Sequence, residues 1–172
     1  MPHPILKKLA GGDRRSIGRS NSVVREVLAR PILFRVLVAG LAVDDPVVRM
    51  RAADALEKVS LRRPELLRPH KKILLEISGR AAQQEVRWHM ALLLPRMNLS
   101  AKHRVVAVDI LFDYLRDKSS IVKTCAMQGL AGLAAQDAAL KAKVLPLLKE
   151  LTDVGTPAMR ARGRKLLAGL VE

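Results

Sequence analysis

The sequence predicts an all-α protein built of stacked helical hairpins. Two observations carry that prediction: a nine-residue apolar and basic phrase that returns four times, and a composition that is 49% hydrophobic but only 2% aromatic. The phrase occupies residues 48–56, 86–94, 122–130 and 159–167, at intervals of 38, 36 and 37 residues. A period of that length, filled by two amphipathic helical patterns per unit, marks a solenoid whose repeats bury their apolar faces against their neighbours. Abundant Ala, Leu and Val suit close helix packing, and so few aromatics offer little to a sheet.

Taken in order, the chain reads as a single domain, 1–172, with an N-terminal segment 1–30 and repeats at 31–60, 66–97, 101–134 and 138–171. In the first segment, Gly11-Gly12 and the stretch 13–22 read as a loop before a short helix over 23–29. Eight of the first 35 residues are Lys or Arg against two acids, which fits either a flexible basic arm or a helix capping the stack. The first helix of each repeat is expected over 31–43, 69–77, 101–115 and 138–151. The core of the first would be Ile32, Leu33, Val36, Leu37 and Leu41, and that of the last Leu140, Val144, Leu145, Leu148 and Leu151.

The second helices carry the phrase. With Val48 as zero, offsets 0, +4, +7, +8 and +11 give Val48, Ala52, Ala55, Leu56 and Val59 on one helical face. The same offsets give Val86, Met90, Leu93, Leu94 and Met97, then Val122, Ala126, Gly129, Leu130 and Leu133, and finally Met159, Gly163, Leu166, Leu167 and Leu170. Start signals punctuate them. Asp45-Pro46 and Thr156-Pro157 place a capping oxygen before a proline at the first helical position, and Ser100, Ser119-Ser120 and Asp137 supply further capping side chains. Pro146 lies mid-pattern and predicts a kink or a new start, since proline removes one backbone bond and crowds the preceding turn.

Lys and Arg outnumber Asp and Glu by 31 to 16, a formal charge of +15 that favours encounter with nucleic acid, anionic headgroups or an acidic protein. Cys125 is the sole cysteine, so no intramolecular disulfide forms, and its Ala/Met/Leu surroundings predict a small core residue. The opening residues 1–8 hold no apolar run of signal-peptide length, and no stretch approaches the roughly 18 apolar residues of a membrane span. A cytoplasmic protein is the expectation.

The run Asp44-Asp45-Pro46-Val47-Val48-Arg49-Met50-Arg51-Ala52-Ala53-Asp54-Ala55-Leu56 resembles the second half of a HEAT repeat, where a turn Asp and Pro lead to Val-Arg and then Ala-x-x-Ala-Leu. The second and third phrases keep Val followed by a basic residue but lose Asp-Pro; the fourth has Met159 for Val and Gly163 for Ala. The resemblance implies a right-handed α-α superhelix whose second helices line a concave face. It also implies a ladder of turn Asp and helix Arg, here Asp45 and Arg49, with Arg87, Lys123 and Arg160 at the equivalent positions.

On that geometry, offsets +2, +5 and +6 face the concavity. The partner-binding candidates are Arg49, Met50, Arg87, Trp88, Leu92, Lys123, Met127, Arg160, Arg164 and Lys165. Trp88, Leu92 and Met127 serve as apolar anchors, and the cations steer an acidic or amphipathic protein partner. Nucleic-acid backbone binding is the alternative, with Arg160 and Arg164 one turn apart able to follow phosphates. A weaker likeness to HEAT-like alkylpurine DNA glycosylases lacks their acid in an aromatic cleft, since Leu92 stands one turn after Trp88. None of His3, His70, His89 or His103 is followed by Glu, which excludes the iron-binding pairs of repeat-built hydroxylases. No phosphate loop, nucleophile elbow or zinc spacing occurs, so no catalytic, metal or cofactor residue is assigned.

Overall fold

The computed structural model describes residues 3–171, the last by its backbone alone; Met1, Pro2 and Glu172, which belong to the predicted arm and to the chain's end, lie outside the described residues. Ten α-helices and three short 3₁₀ turns make up the described chain, and no strand occurs among these residues. The chain forms two compact units, Met1–Met90 and Ala91–Glu172, and the boundary falls within a helix.

The first unit contains α1 (Pro4–Leu9), α2 (Ser20–Ala29), α3 (Phe34–Gly40), α4 (Pro46–Arg62), α5 (Lys71–Arg80) and the start of α6 (Gln84–Leu93). Its centre is α4. The Asp45 carboxylate accepts from the free N–H groups of Val47 and Val48, and Pro46 loses nothing at the first helical position. All five residues of its predicted stripe, Val48, Ala52, Ala55, Leu56 and Val59, are buried. So are Met50, Arg51, Ala53, Asp54 and Ser60, because α1, α2 and α3 all pack on α4 and cover what a simple hairpin would leave open. The described part of the segment before residue 30 therefore contains two helices packed on α4, and α2 begins at Ser20 within the predicted loop. Ile32 corrects the predicted core: it sits in a 3₁₀ turn, 68% exposed, while Phe34, Leu37, Val38 and Leu41 fill the interior.

The second unit contains the end of α6, then α7 (Ala101–Tyr114), α8 (Ser120–Ala134), α9 (Ala138–Val154) and α10 (Pro157–Val171). Its centre is α8, against which α7, α9 and α10 pack. The predicted caps all form: Ser100 accepts from His103 N–H, Ser119 from Val122 N–H, Asp137 from Leu140 N–H and Thr156 from Met159 N–H. The stripe on α8 is wholly buried, whereas on α10 Met159, Gly163 and Leu170 are buried and Leu166 and Leu167 only partly. Pro146 departs from expectation. The helix α9 runs unbroken through it, because Val144 and Leu148 anchor that turn in the core while the ring faces solvent, where water can satisfy the freed carbonyl. Cys125 is half-buried rather than a core residue.

Candidate functional site

The cation one place after the start of each phrase is largely committed to backbone. Arg49 donates to the carbonyls of Val43 (2.8 Å) and Asp44 (2.9 Å) and to Gln83 Oε1 (3.0 Å), and Gln83 in turn donates to the Pro46 carbonyl (2.8 Å). Arg87 reaches the Ala81 carbonyl at 2.8 Å, and Arg160 the Gly155 carbonyl at 3.0 Å. Each guanidinium thus closes the turn that precedes its own helix. The Asp45 side chain meanwhile caps α4, so Arg49 is tied to the turn before α6 through Gln83 rather than through an Asp. Lys123 is half-exposed on α8.

The apolar anchors fare differently. Met50 and Met127 are buried, at 5% and 0% exposure, and present no surface to a partner; this corrects their assignment. The reason is packing: α4 is enclosed by α1, α2 and α3, and Met127 Cε lies where α10 comes closest at Gly163. Trp88 is half-buried with its ring tilted against His89 at 5.7 Å, and Leu92 is also half-buried. Arg160, Arg164 and Lys165 are exposed, together with Arg162.

A groove that the sequence did not announce opens in the first unit. Its volume is about 690 Å³, and its lining includes Val38 and Ala39 of α3, Ile73, Glu76, Ile77 and Arg80 of α5, and Val86 of α6. The lining is mostly apolar, and Ile73 within it is 43% exposed. Arg35, Arg49 and Arg80 stand around it with one acid, Glu76. Among the described residues neither Arg35 nor Arg80 has a hydrogen-bond or ion-pair partner, and both are exposed. The arrangement suits an apolar side chain flanked by carboxylates.

A polar cluster lies elsewhere in this unit. Asp54, buried on α4, accepts from Ser20 Oγ and from Lys58 Nζ (2.8 Å), and Lys58 also reaches Asn21 (2.9 Å). His89 Nε2 is 3.9 Å from Asp54, and its Nδ1 is 4.0 Å from Glu57 and buried without a hydrogen bond. Burial holds the imidazole below its ordinary pKa, more strongly than Asp54 and Glu57 raise it. Because Ser20 donates to Asp54 and not to His89, the three do not form a nucleophilic relay. Among the described residues no group of three or more His, Cys, Asp or Glu is placed to hold a metal. No helix among the described residues is long and apolar enough to cross a membrane.

The groove escaped sequence reading because half of its lining comes from α3 and α5, which carry no repeated phrase, and because its shape depends on the spacing between elements. The exposed Ile73 beside Lys72 and Glu76 was the one local signal. Compared with known proteins, the chain matches no family model, no curated protein and no solved structure.

Proposed function

We propose that the chain is a non-catalytic binding module of HEAT-like hairpins in a right-handed superhelix, and that it seats an acidic, amphipathic protein segment in the groove of α3 and α5. The repeat register and the Asp45-Pro46 turn support the hairpin reading. The observation that carries the binding reading is the groove itself: a largely apolar lining that includes Arg35 and Arg80, two exposed arginines without a partner among the described residues. An unpaired guanidinium beside apolar surface gains most from a carboxylate that arrives together with an apolar side chain.

An array of acidic amphipathic peptides, each about 15 residues and long enough for i, i+3, i+4 and i+7 anchors, tests this directly. Reversing charge in the Arg35→Glu/Arg80→Glu variant should weaken the best binders at least tenfold, with the helical circular dichroism unchanged. Undiminished binding would move the site off the groove.

A second reading, nucleic-acid backbone binding, is favoured by α10. It exposes Arg160, Arg162, Arg164 and Lys165, carries no acid among its described residues, and separates its arginines by the small residues Ala161 and Gly163. In the same experiment a labelled duplex replaces the peptide. Loss of duplex binding on changing Arg162 and Arg164 to Glu, without effect on the peptides, would assign that surface separately.

A further inference from the structure

Arg51 is buried on α4 with no carboxylate partner among the described residues. Its guanidinium donates instead to backbone carbonyls at the end of α1 and in the loop that leads to α2: Leu9 (2.7 Å), Gly11 (2.7 Å), Ser16 (3.0 Å), Asp13 (3.2 Å) and, more weakly, Ala10 (3.5 Å). The loop is wrapped around this cation. Gly12 and Gly18 have positive φ, and a Cβ at Gly18 would lie 2.7 Å from Arg51 Cζ, so only glycine allows the backbone this close.

The wrapping has an electrostatic consequence. A trans peptide holds its C=O and the next N–H on opposite sides, so each carbonyl drawn inward turns the following N–H outward. The N–H groups concerned are those of Ala10, Gly11, Gly12, Arg14 and Ile17. The Ala10 N–H is taken by the Lys7 carbonyl (3.3 Å); the other four have no acceptor among the described residues. Residues 10–19 are all exposed, so these donors face solvent. Around them stand Arg15 and Arg19, whose side chains have no partner among the described residues, and Arg14, 3.8 Å from Glu85. The loop's one acid, Asp13, is occupied in accepting from Arg15 N–H (2.9 Å).

From this geometry we infer that the loop between α1 and α2 binds phosphate groups of a nucleic-acid strand, through the outward N–H groups of Gly11, Gly12, Arg14 and Ile17 and the side chains of Arg15 and Arg19. Outward backbone N–H groups and the Arg15 and Arg19 guanidiniums each donate to phosphate oxygens, and the buried Arg51 charge behind them adds positive potential. The loop lies open on the surface rather than enclosing a cavity, which suits a phosphate carried on a polymer. Its only large apolar side chain is Ile17, too little for a membrane-inserting face. The ligand class is that of the α10 reading, but the residues are different, so the two fail separately.

The experiment is an amide-resolved NMR titration of the full chain with a single-stranded oligonucleotide of about ten nucleotides, paired with anisotropy over a range of salt. The expected result is a saturable shift of the Gly11, Gly12, Arg14 and Ile17 amides. In the Arg15→Ala/Arg19→Ala variant, which removes only exposed side chains, affinity should drop about tenfold and the slope of log K against log salt should lessen by about 1.4. Unmoved loop amides, or a variant that binds as the parent does, overturns the proposal. So do loop shifts produced by inorganic phosphate or by phosphatidylserine vesicles but not by the oligonucleotide.

Discussion

His89 is a base that the fold keeps neutral, and that makes it the residue through which mild acid acts on stability. Burial lowers its pKa below the ordinary 6.5, and burial does the same to His70. As pH falls past about 6.5, the unfolded chain takes up protons at these two sites that the folded chain still refuses. Stability is therefore full above that pH and declines as it is crossed, despite Asp54 and Glu57 facing His89, with Lys58 opposing them. Glu26, Glu65 and Asp137 do not interfere in this window. Their pKa values are lowered, by the Lys8 hydrogen bond, the Arg63 hydrogen bond and the Leu140 N–H respectively, so their contributions persist until far more acid conditions. Urea midpoints measured from pH 7.5 to 5.5 should fall in the parent, fall less in His89→Gln, and stay level in His70→Gln/His89→Gln; an unchanged slope in the double variant would rule out burial of these imidazoles as the cause. Nothing in the sequence marked His89 as anything but a flanking residue, because Asp54, Glu57 and Lys58, which surround it, come from α4, far away along the chain.

At the scale of elements, the contact of α9 with α10 shows what periodicity reveals and where it stops. The fourth phrase has Gly163 where the others have Ala126, Met90 and Ala52, which reads in sequence as a weakened repeat. In the fold it is a requirement: a Cβ there would stand 1.9 Å from Thr152 Oγ1, which is itself buried and bonded to the Leu148 carbonyl at 2.6 Å. Gly163→Ala should then cost about 1–3 kcal/mol through overpacking, of which the better helix propensity of Ala offsets at most about 1 kcal/mol. Denaturant unfolding of Gly163→Ala alone and in the Thr152→Ala background reads the coupling: the penalty should shrink when the hydroxyl is gone, and equal penalties would place the strain elsewhere. The buried stripes and the caps were legible because they depend on residues within one helix, such as Val122 to Leu133 behind Ser119. The orientation of the remaining faces was not. Whether Met50 and Met127 meet solvent depends on whether α1, α2 or α10 lies over them, and no spacing within α4 or α8 encodes that. The Arg51 cage is intermediate: Gly11-Gly12 marked a loop, but only the folded backbone shows which way its carbonyls turn.

For the molecule as a whole, the charge excess is distributed rather than confined to a tail. Residues 1–90 contain 18 Lys and Arg against nine acids, and residues 91–172 contain 13 against seven. The ion pairs that offset it include exposed or half-exposed ones, such as Lys8 with Glu26, Arg63 with Glu65 and Arg104 with Asp137, and pairs of that kind contribute little to stability. Like-charge repulsion summed over so large a net charge outweighs them, so it opposes the compact state. Salt screens both terms over a Debye length of about 10 Å at 0.1 M, and it relieves the larger one more. The same screening weakens any acidic partner or phosphate backbone held by Arg35, Arg80 or the α1–α2 loop. Salt should therefore act with opposite signs on folding and on binding: raising NaCl from about 0.02 to 0.5 M lifts the thermal midpoint while loosening the complex. Calorimetric scans and anisotropy titrations on one preparation measure both. A midpoint that falls with salt would mean that the few ion pairs, and not the net charge, govern the electrostatics of the fold; the positive surface would then be a product of local pairing instead of a field held in readiness for a polyanion.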